Sequence, residues 1–250
     1  MKPRVVIVIP ARFGSQRLPG KPLRQVAGRP LIEWVWRRAQ KIQPQDRLLV
    51  ATDHAEIARV VEQAGGESVL TPEHLANGTE RVAWVARQLD AELVVNVQGD
   101  EPLVDVSAVS RLIRFMQEET TWPVGTLAAP LKSESEWTSS SVTKVLLNRQ
   151  KQALLFSRRP LPFFRSTPFK PLKSVARHVG VYVYRREVLL QFPLWPVSEL
   201  EEAEQLEQLR FLHQGVPMYV QADANPSPGI DTEDDLRQLN SRLTKQGTIL

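Results

Sequence analysis

Residues 5–21, VVIVIPARFGSQRLPGK, constrain the fold more than any other stretch. The first half is an apolar, mostly β-branched run without alternation, the pattern of a strand buried on both faces at the centre of a parallel sheet. Pro10 is expected to end it. From Ala11 to Lys21 the chain then places two glycines, a second proline and the cations Arg12, Arg17 and Lys21 in eleven positions, a composition that no core accepts. At the carboxyl end of a parallel strand, such a loop is what an open α/β sheet presents to a phosphorylated ligand. The plain alternative is a basic surface loop. It is not a P-loop, because Gly14 and Gly20 enclose five residues and Pro22 follows Lys21, and no G-x-G-x-x-G fingerprint is present.

Downstream, apolar spacing predicts a helix over 31–42, a strand over 48–51, a helix over 54–64, a short strand near 68–70, a helix from 77 to about 89 and a buried strand over 93–97. This β-α-β-α order is that of a parallel sheet. Residues 106–118 read as a helix, and 124–129, 142–147, 153–157, 179–184 and 218–221 as strands. Residues 158–174, with four prolines and three arginines, read as an exposed loop. A single helix is expected over 199–213 and a closing one over 232–245, capped by Thr232. The expectation is one continuous α/β domain over 1–250: a Rossmann-like, mostly parallel sheet flanked by helices, with a small irregular or antiparallel lobe near 130–185.

With 42% apolar residues in 250, the chain buries a full core. It has no cysteine, which excludes disulfides and thiol nucleophiles; with no signal-peptide pattern and no membrane-length apolar run, a cytoplasmic protein without membrane contact is expected. The net charge of +4 comes from interleaved basic and acidic residues. Binding of nucleic acid, which would want clustered cations among aromatics, is therefore the remote alternative.

Two aspartates fall where sites form. Asp100 follows the 93–97 strand in QGDEP, and Asp231 sits in the turn PGIDT. Magnesium binding needs only one or two carboxylates beside substrate phosphates and water. Equally, Asp231 could cap the following helix and Asp100 could accept backbone hydrogen bonds in a tight turn, and the residues alone leave both readings open. The four histidines lack metal-ligand spacing, and no G-x-S-x-G elbow occurs. Glu201, Glu202, Glu204 and Glu207 suit the positive end of a helix dipole.

Taken in order, IPARFGSQRLPGKPL, ATDH, NGTER, VVNVQGDEP, LFSRRPLP, RHVGVYVYRR, LEQLR and PGIDTEDDL resemble the 3-deoxy-manno-octulosonate (Kdo) cytidylyltransferases from residue 5 to about 239. The resemblance implies a Rossmann-like nucleotidyltransferase fold, a homodimer, and a magnesium-dependent reaction of CTP with Kdo that gives CMP-Kdo and pyrophosphate for lipopolysaccharide synthesis. It assigns Pro10, Ala11, Arg12, Ser15, Thr52, Asp53, Gly78, Thr79 and Arg81 to the nucleotide, with Arg17 and Lys21 on the triphosphate. Asp100 and Asp231 match the magnesium aspartates. Gln98, Arg158, His178, Tyr182, Glu204, Glu207 and Gln208 fall to the sugar, Arg158 and His178 being the expected partners of its carboxylate. Two departures lie on the sugar side: Glu202 where relatives carry His, and the proline-rich 160–171. They make the 8-amino analogue of Kdo, or another acidic sugar, the alternative substrate.

Overall fold

In the computed structural model, which describes residues 4–15, 18–165, 167–226 and 229–245, the opening run forms β1 (Val5–Ala11), buried throughout. The missing alternation has a direct cause. Val5, Ile7 and Ile9 enter one apolar core while Val6 and Val8 enter a second on the opposite face, so neither face meets water. The strand continues one residue past Pro10, Ala11 still pairing with Thr52.

A small hairpin of β2 (Gln25–Val26) and β3 (Arg29–Pro30), which no apolar period announces, precedes α1 (Leu31–Ala39). Then follow β4 (Arg47–Thr52), α2 (Ala55–Gln63), β5 (Glu67–Leu70), α3 (Gly78–Ala86), β6 (Leu93–Asn96) and α4 (Val106–Glu118). Their starts are set by side-chain caps: Asn77 Oδ1 accepts from Glu80 N at 2.8 Å and Asp105 Oδ1 from Ala108 N at 3.0 Å. The second half comprises β7 (Val124–Pro130), α5 (Glu134–Thr138), β8 (Lys144–Leu147), β9 (Ala153–Ser157), β10 (Val175–Arg185), α6 (Arg186–Gln191), α7 (Glu199–Glu204), α8 (Leu209–His213), β11 (Met218–Gln221) and α9 (Glu233–Lys245).

The main sheet runs β11-β7-β10-β6-β1-β4-β5. It is mostly parallel, with β10 alone antiparallel to its neighbours β6 and β7. β8 pairs with the first residues of β10, and β9 with β8, as an antiparallel extension. Helices α1, α2 and α4 cover one face and α3, α6 and α8 the other. A third apolar cluster joins Leu18 from the cationic loop to Val26, Trp34, Ile230 and the Leu236, Leu239 and Leu243 stripe of α9. It fastens the end of the loop to the segment that carries Asp231.

The single helix expected over 199–213 is two pieces. The chain breaks at Gln205, which adopts φ 52°, and the break is held from outside: Arg158 Nε donates to the Glu204 carbonyl at 2.9 Å, while Arg210 folds back onto Glu201 with two bonds of 2.7 Å. The 179–184 strand extends to eleven residues, and α5 and α6 are additions to the expected elements. Residues 158–174 are irregular as expected but only partly exposed. Trp137 Nε1 donates to the Leu161 carbonyl at 3.0 Å, and its ring packs against Phe164 and Phe169, whereas Phe163 is 83% exposed.

Candidate active site

The carboxyl ends of β1 and β6, the start of α3, the α7–α8 pair and the first half of β10 enclose a cleft of about 860 Å³. This is the location that a parallel sheet dictates for a ligand. At its loop end, Lys21 Nζ lies 2.7 Å from Asp100 Oδ2 and 3.1 Å from Asp231 Oδ1. The two aspartates are 131 residues apart in the chain, and a backbone bond brings them together: Ile230 N donates to the Asp100 carbonyl at 2.9 Å. Gly99 is required there, since a Cβ on it would stand 2.6 Å from the Pro10 carbonyl. The capping alternative for Asp231 does not hold. Thr232 caps α9, its Oγ1 accepting from Asp235 N at 3.2 Å, while Asp235 Oδ2 accepts from Asp231 N and Thr232 N at 3.1 and 2.8 Å.

Among the described residues, no group of three or more His, Cys, Asp or Glu side chains is placed to hold a metal unaided. Asp100 and Asp231 nevertheless already converge on one cation, the Lys21 ammonium, and a pair of carboxylates is the donor set that magnesium takes when a phosphate ligand completes its shell. The residues fit that ion.

Pro10, Ala11, Arg12, Ser15, Gly78, Arg81 and Gln98 also line the cleft. Thr52, Asp53 and Thr79 stand behind its wall instead. Asp53 holds the loop from below, accepting from Phe13 N at 2.9 Å and from Arg81 Nη2 at 2.9 Å. Burial with Arg12 nearby pulls the Arg81 guanidinium down from its ordinary value, and Asp53 opposes that shift. Arg17 lies outside the described residues.

At the far end, Arg158, His178, Tyr182, Glu207 and Gln208 line the cleft and Glu204 does not. Glu204 clamps the Arg158 backbone: Oε2 accepts from Arg158 N at 2.9 Å and Oε1 from the Ser157 hydroxyl. Glu207 accepts from Thr79 Oγ1 at 2.7 Å, and burial raises its carboxyl above the usual range. The expected cationic role of His178 needs correcting. Thr126 Oγ1 donates its proton to the Val181 carbonyl at 2.7 Å, so at 3.0 Å it accepts from His178 Nε2–H. Burial of the ring pushes His178 down to about 3. At neutral pH it is an uncharged imidazole with Nδ1 left as an acceptor, which places the positive charge of this wall on arginines.

Several cleft residues escaped the sequence analysis. Glu101 is 7% exposed, its Oε2 has no hydrogen-bond partner among the described residues, and burial followed by the adjacent Asp100 pushes its carboxyl up to about 8. Arg177 lines the cleft while pairing with Glu136 at 3.5 Å. Arg210, 2% exposed, ties α8 to Glu201 and, at 3.3 Å, to Glu80 on α3. None carries a local signal: Glu101 is set by its burial, and Arg177 and Arg210 by partners distant in the chain.

A cytidylyltransferase family model matches residues 6–221. A 3-deoxy-manno-octulosonate cytidylyltransferase of Trichlorobacter lovleyi is 42% identical over 98% of this chain and 100% of its own length, and one of Saccharophagus degradans is 38% identical over 95% and 98%. A solved structure described as CMP:2-keto-3-deoxy-manno-octonic acid synthetase complexed with CTP superposes with a TM-score of 0.91 at 36% identity, covering 97% of this chain and 99% of that one. On a family match spanning most of its length and near-complete overlap with these relatives, the chain belongs to the 3-deoxy-manno-octulosonate cytidylyltransferase family.

Proposed function

We propose that the protein activates Kdo with CTP, releasing pyrophosphate and forming CMP-Kdo, as a magnesium-dependent cytoplasmic homodimer that serves lipopolysaccharide synthesis. One observation carries the catalytic reading: a single cleft joins the Lys21–Asp100–Asp231 cluster to a wall of Arg158, His178 and Tyr182, which brings a triphosphate and an acidic sugar face to face. The homodimer and the cytoplasmic setting rest on family resemblance. Among the described residues no helix is long and apolar enough to cross a membrane.

The reaction needs no covalent enzyme intermediate. The anomeric hydroxyl of the sugar attacks the α-phosphorus in line, the bond to the β-phosphate breaks, and pyrophosphate leaves, so catalysis is positioning plus stabilisation of phosphate charge. Asp100 and Asp231 would hold magnesium, which neutralises phosphate oxygens and acidifies the attacking hydroxyl. Lys21, together with Arg17 as the family resemblance implies, would neutralise the pyrophosphate as it leaves. Arg158 orients the sugar through its carboxylate, and His178 accepts from a sugar hydroxyl through Nδ1. The wall precedes the ligand, its residues already bonded to one another, an arrangement that lowers the entropic cost of alignment.

Pyrophosphate release, measured with CTP, ATP, GTP and UTP against Kdo, its 8-amino analogue and sialic acid, with and without magnesium, tests this reading. The expected outcome is turnover confined to CTP with Kdo and lost on chelation. A preference for another nucleotide, or sialic acid accepted as well as Kdo, defeats it. One feature favours the amino analogue: Glu202 lines the cleft with an exposed carboxylate suited to a cationic substituent. A higher kcat/KM for that sugar would move the assignment.

A further inference from the structure

Lys144 has no part in the reading above, and among the described residues it is the only lysine in the set of fully buried large side chains, with 0% exposure. Its three N–H donors all go to main-chain carbonyls: Ser139 at 2.8 Å, Val142 at 2.6 Å and Arg158 at 2.6 Å. Burying an ammonium against neutral carbonyls costs desolvation that an apolar side chain of similar volume would avoid, so stability alone is a poor reason for it. The acceptors show what it does. Ser141, Val142 and Thr143 line the cleft, as does Arg158. The Arg158 guanidinium in turn reaches the Ser140 carbonyl at 3.3 Å, and the Thr143 carbonyl accepts from His178 N at 2.9 Å. One ammonium thus fixes the backbone of Arg158, the segment that its guanidinium leans on, and the segment adjoining His178.

We propose that Lys144 is a positioning residue for the acidic sugar: it pins the 139–143 segment to Arg158 and thereby sets the separation of the groups that receive the sugar's carboxylate and hydroxyls. The inference rests on the function proposed above. Of the charged groups near it, Glu204 favours the ammonium and Arg158 disfavours it, while Arg177 is the register partner of Lys144 on β10 with its guanidinium on Glu136. Burial, the largest influence, brings Lys144 down to about 8. Above that pH a neutral amine with two N–H donors cannot serve three carbonyls.

The test reads KM for each substrate separately between pH 7 and 9.5. In the wild type, KM for Kdo should rise about tenfold across that range while KM for CTP stays within twofold. Lys144→Met should show the elevated Kdo KM at every pH, with kcat at saturating sugar little changed. A flat wild-type Kdo KM, or a parallel rise in both KM values, overturns the proposal. Should Lys144→Met fail to fold, Lys144→Cys can be aminoethylated in the unfolded chain and refolded, since the protein has no other thiol. The thioether lowers the amine's basicity, so the alkaline rise should move to lower pH, and an unmoved rise counts against the proposal. The titration of Lys144 Cε by carbon NMR needs no substrate: a surface-like titration near pH 10.5 refutes the pinning even where no turnover is found, whereas absent turnover alone refutes only the function.

Discussion

The two ends of the cleft are built by opposite strategies. At the loop end, the charged side chains come from short contiguous motifs that follow parallel strands, and they keep partial exposure: the Asp100 and Asp231 side chains are 29% and 41% accessible and Arg12 is exposed. At the far end, residues from α3, β7, β10, α7, the residue after β9 and the link between α7 and α8 are already bound to one another. Glu204 holds Arg158, Thr79 holds Glu207, and Thr126 holds His178. The first end is charge awaiting a ligand that brings its own; the second is a wall shaped before any ligand arrives. Mutations at the first should therefore strike turnover, and mutations at the second the affinity for one substrate.

The largest effect is expected at the aspartates. Asp100→Asn or Asp231→Asn should lower turnover about a thousandfold, roughly 4 kcal/mol of transition-state stabilisation, because the amide keeps the shape and removes the charge. Neither should shift the melting temperature by much: partly exposed ion pairs contribute little to stability, and Thr232 rather than Asp231 caps α9. Rate against magnesium concentration, with a thermal melt, checks both points. A folded variant within tenfold of wild type at saturating magnesium would undo the assignment of this end.

Arg158→Ala comes next and acts on the other end. The KM for Kdo should rise at least about tenfold, near 1.4 kcal/mol, while that for CTP moves less than twofold. Separate titrations of the two substrates decide it, and equal rises would erase the boundary between the ends.

That boundary also marks how far sequence can be read. β1, its cationic loop and the GDEP turn are legible because buried strands and the polar turns after them are local patterns. The fracture of the predicted 199–213 helix was hidden because its apolar stripe continues through the break, and the left-handed turn at Gln205 depends on Arg158, 47 residues earlier. The resemblance places Glu204 among the sugar contacts, yet it faces the Arg158 backbone. The charge state of His178 was equally out of reach, being set by burial, as was its tautomer, set by Thr126 on another strand.

His178 gives the third test. Its folded pKa, about 3, lies below the unfolded value of 6.5, so protonation favours the unfolded chain. Its contribution to stability is complete above pH 6.5 and is lost as pH falls from there towards 3. Relative to wild type, His178→Gln should lack this slope, and the stability difference between the two should change by about 1 kcal/mol between pH 7 and 5.5. Denaturant unfolding at a series of pH values measures it. A difference that is flat with pH would mean that His178 titrates as an exposed imidazole and is a cation for the sugar after all.

The smallest effect is expected where the loop end borrows the strategy of the far end. Phe13 stacks on His54 with ring centroids 4.1 Å apart and planes 13° from parallel, while its N–H donates to Asp53 at 2.9 Å. The loop is thus tethered on its outer side by a ring contact and a main-chain bond. A stacked pair adds about 0.5–1.5 kcal/mol beyond the area it buries, and with Phe13 38% exposed the lower end of that range applies. Phe13→Leu keeps the main-chain bond and loses the stack, so KM for CTP should rise about threefold, with kcat and the Kdo KM unchanged. If the nucleotide end were wholly unshaped before binding, the substitution would do nothing to either KM; if Phe13 also shaped the far wall, both would move. A change confined to CTP means that the loop is partly ordered in advance, and that the contrast between the two ends is one of degree on the nucleotide side.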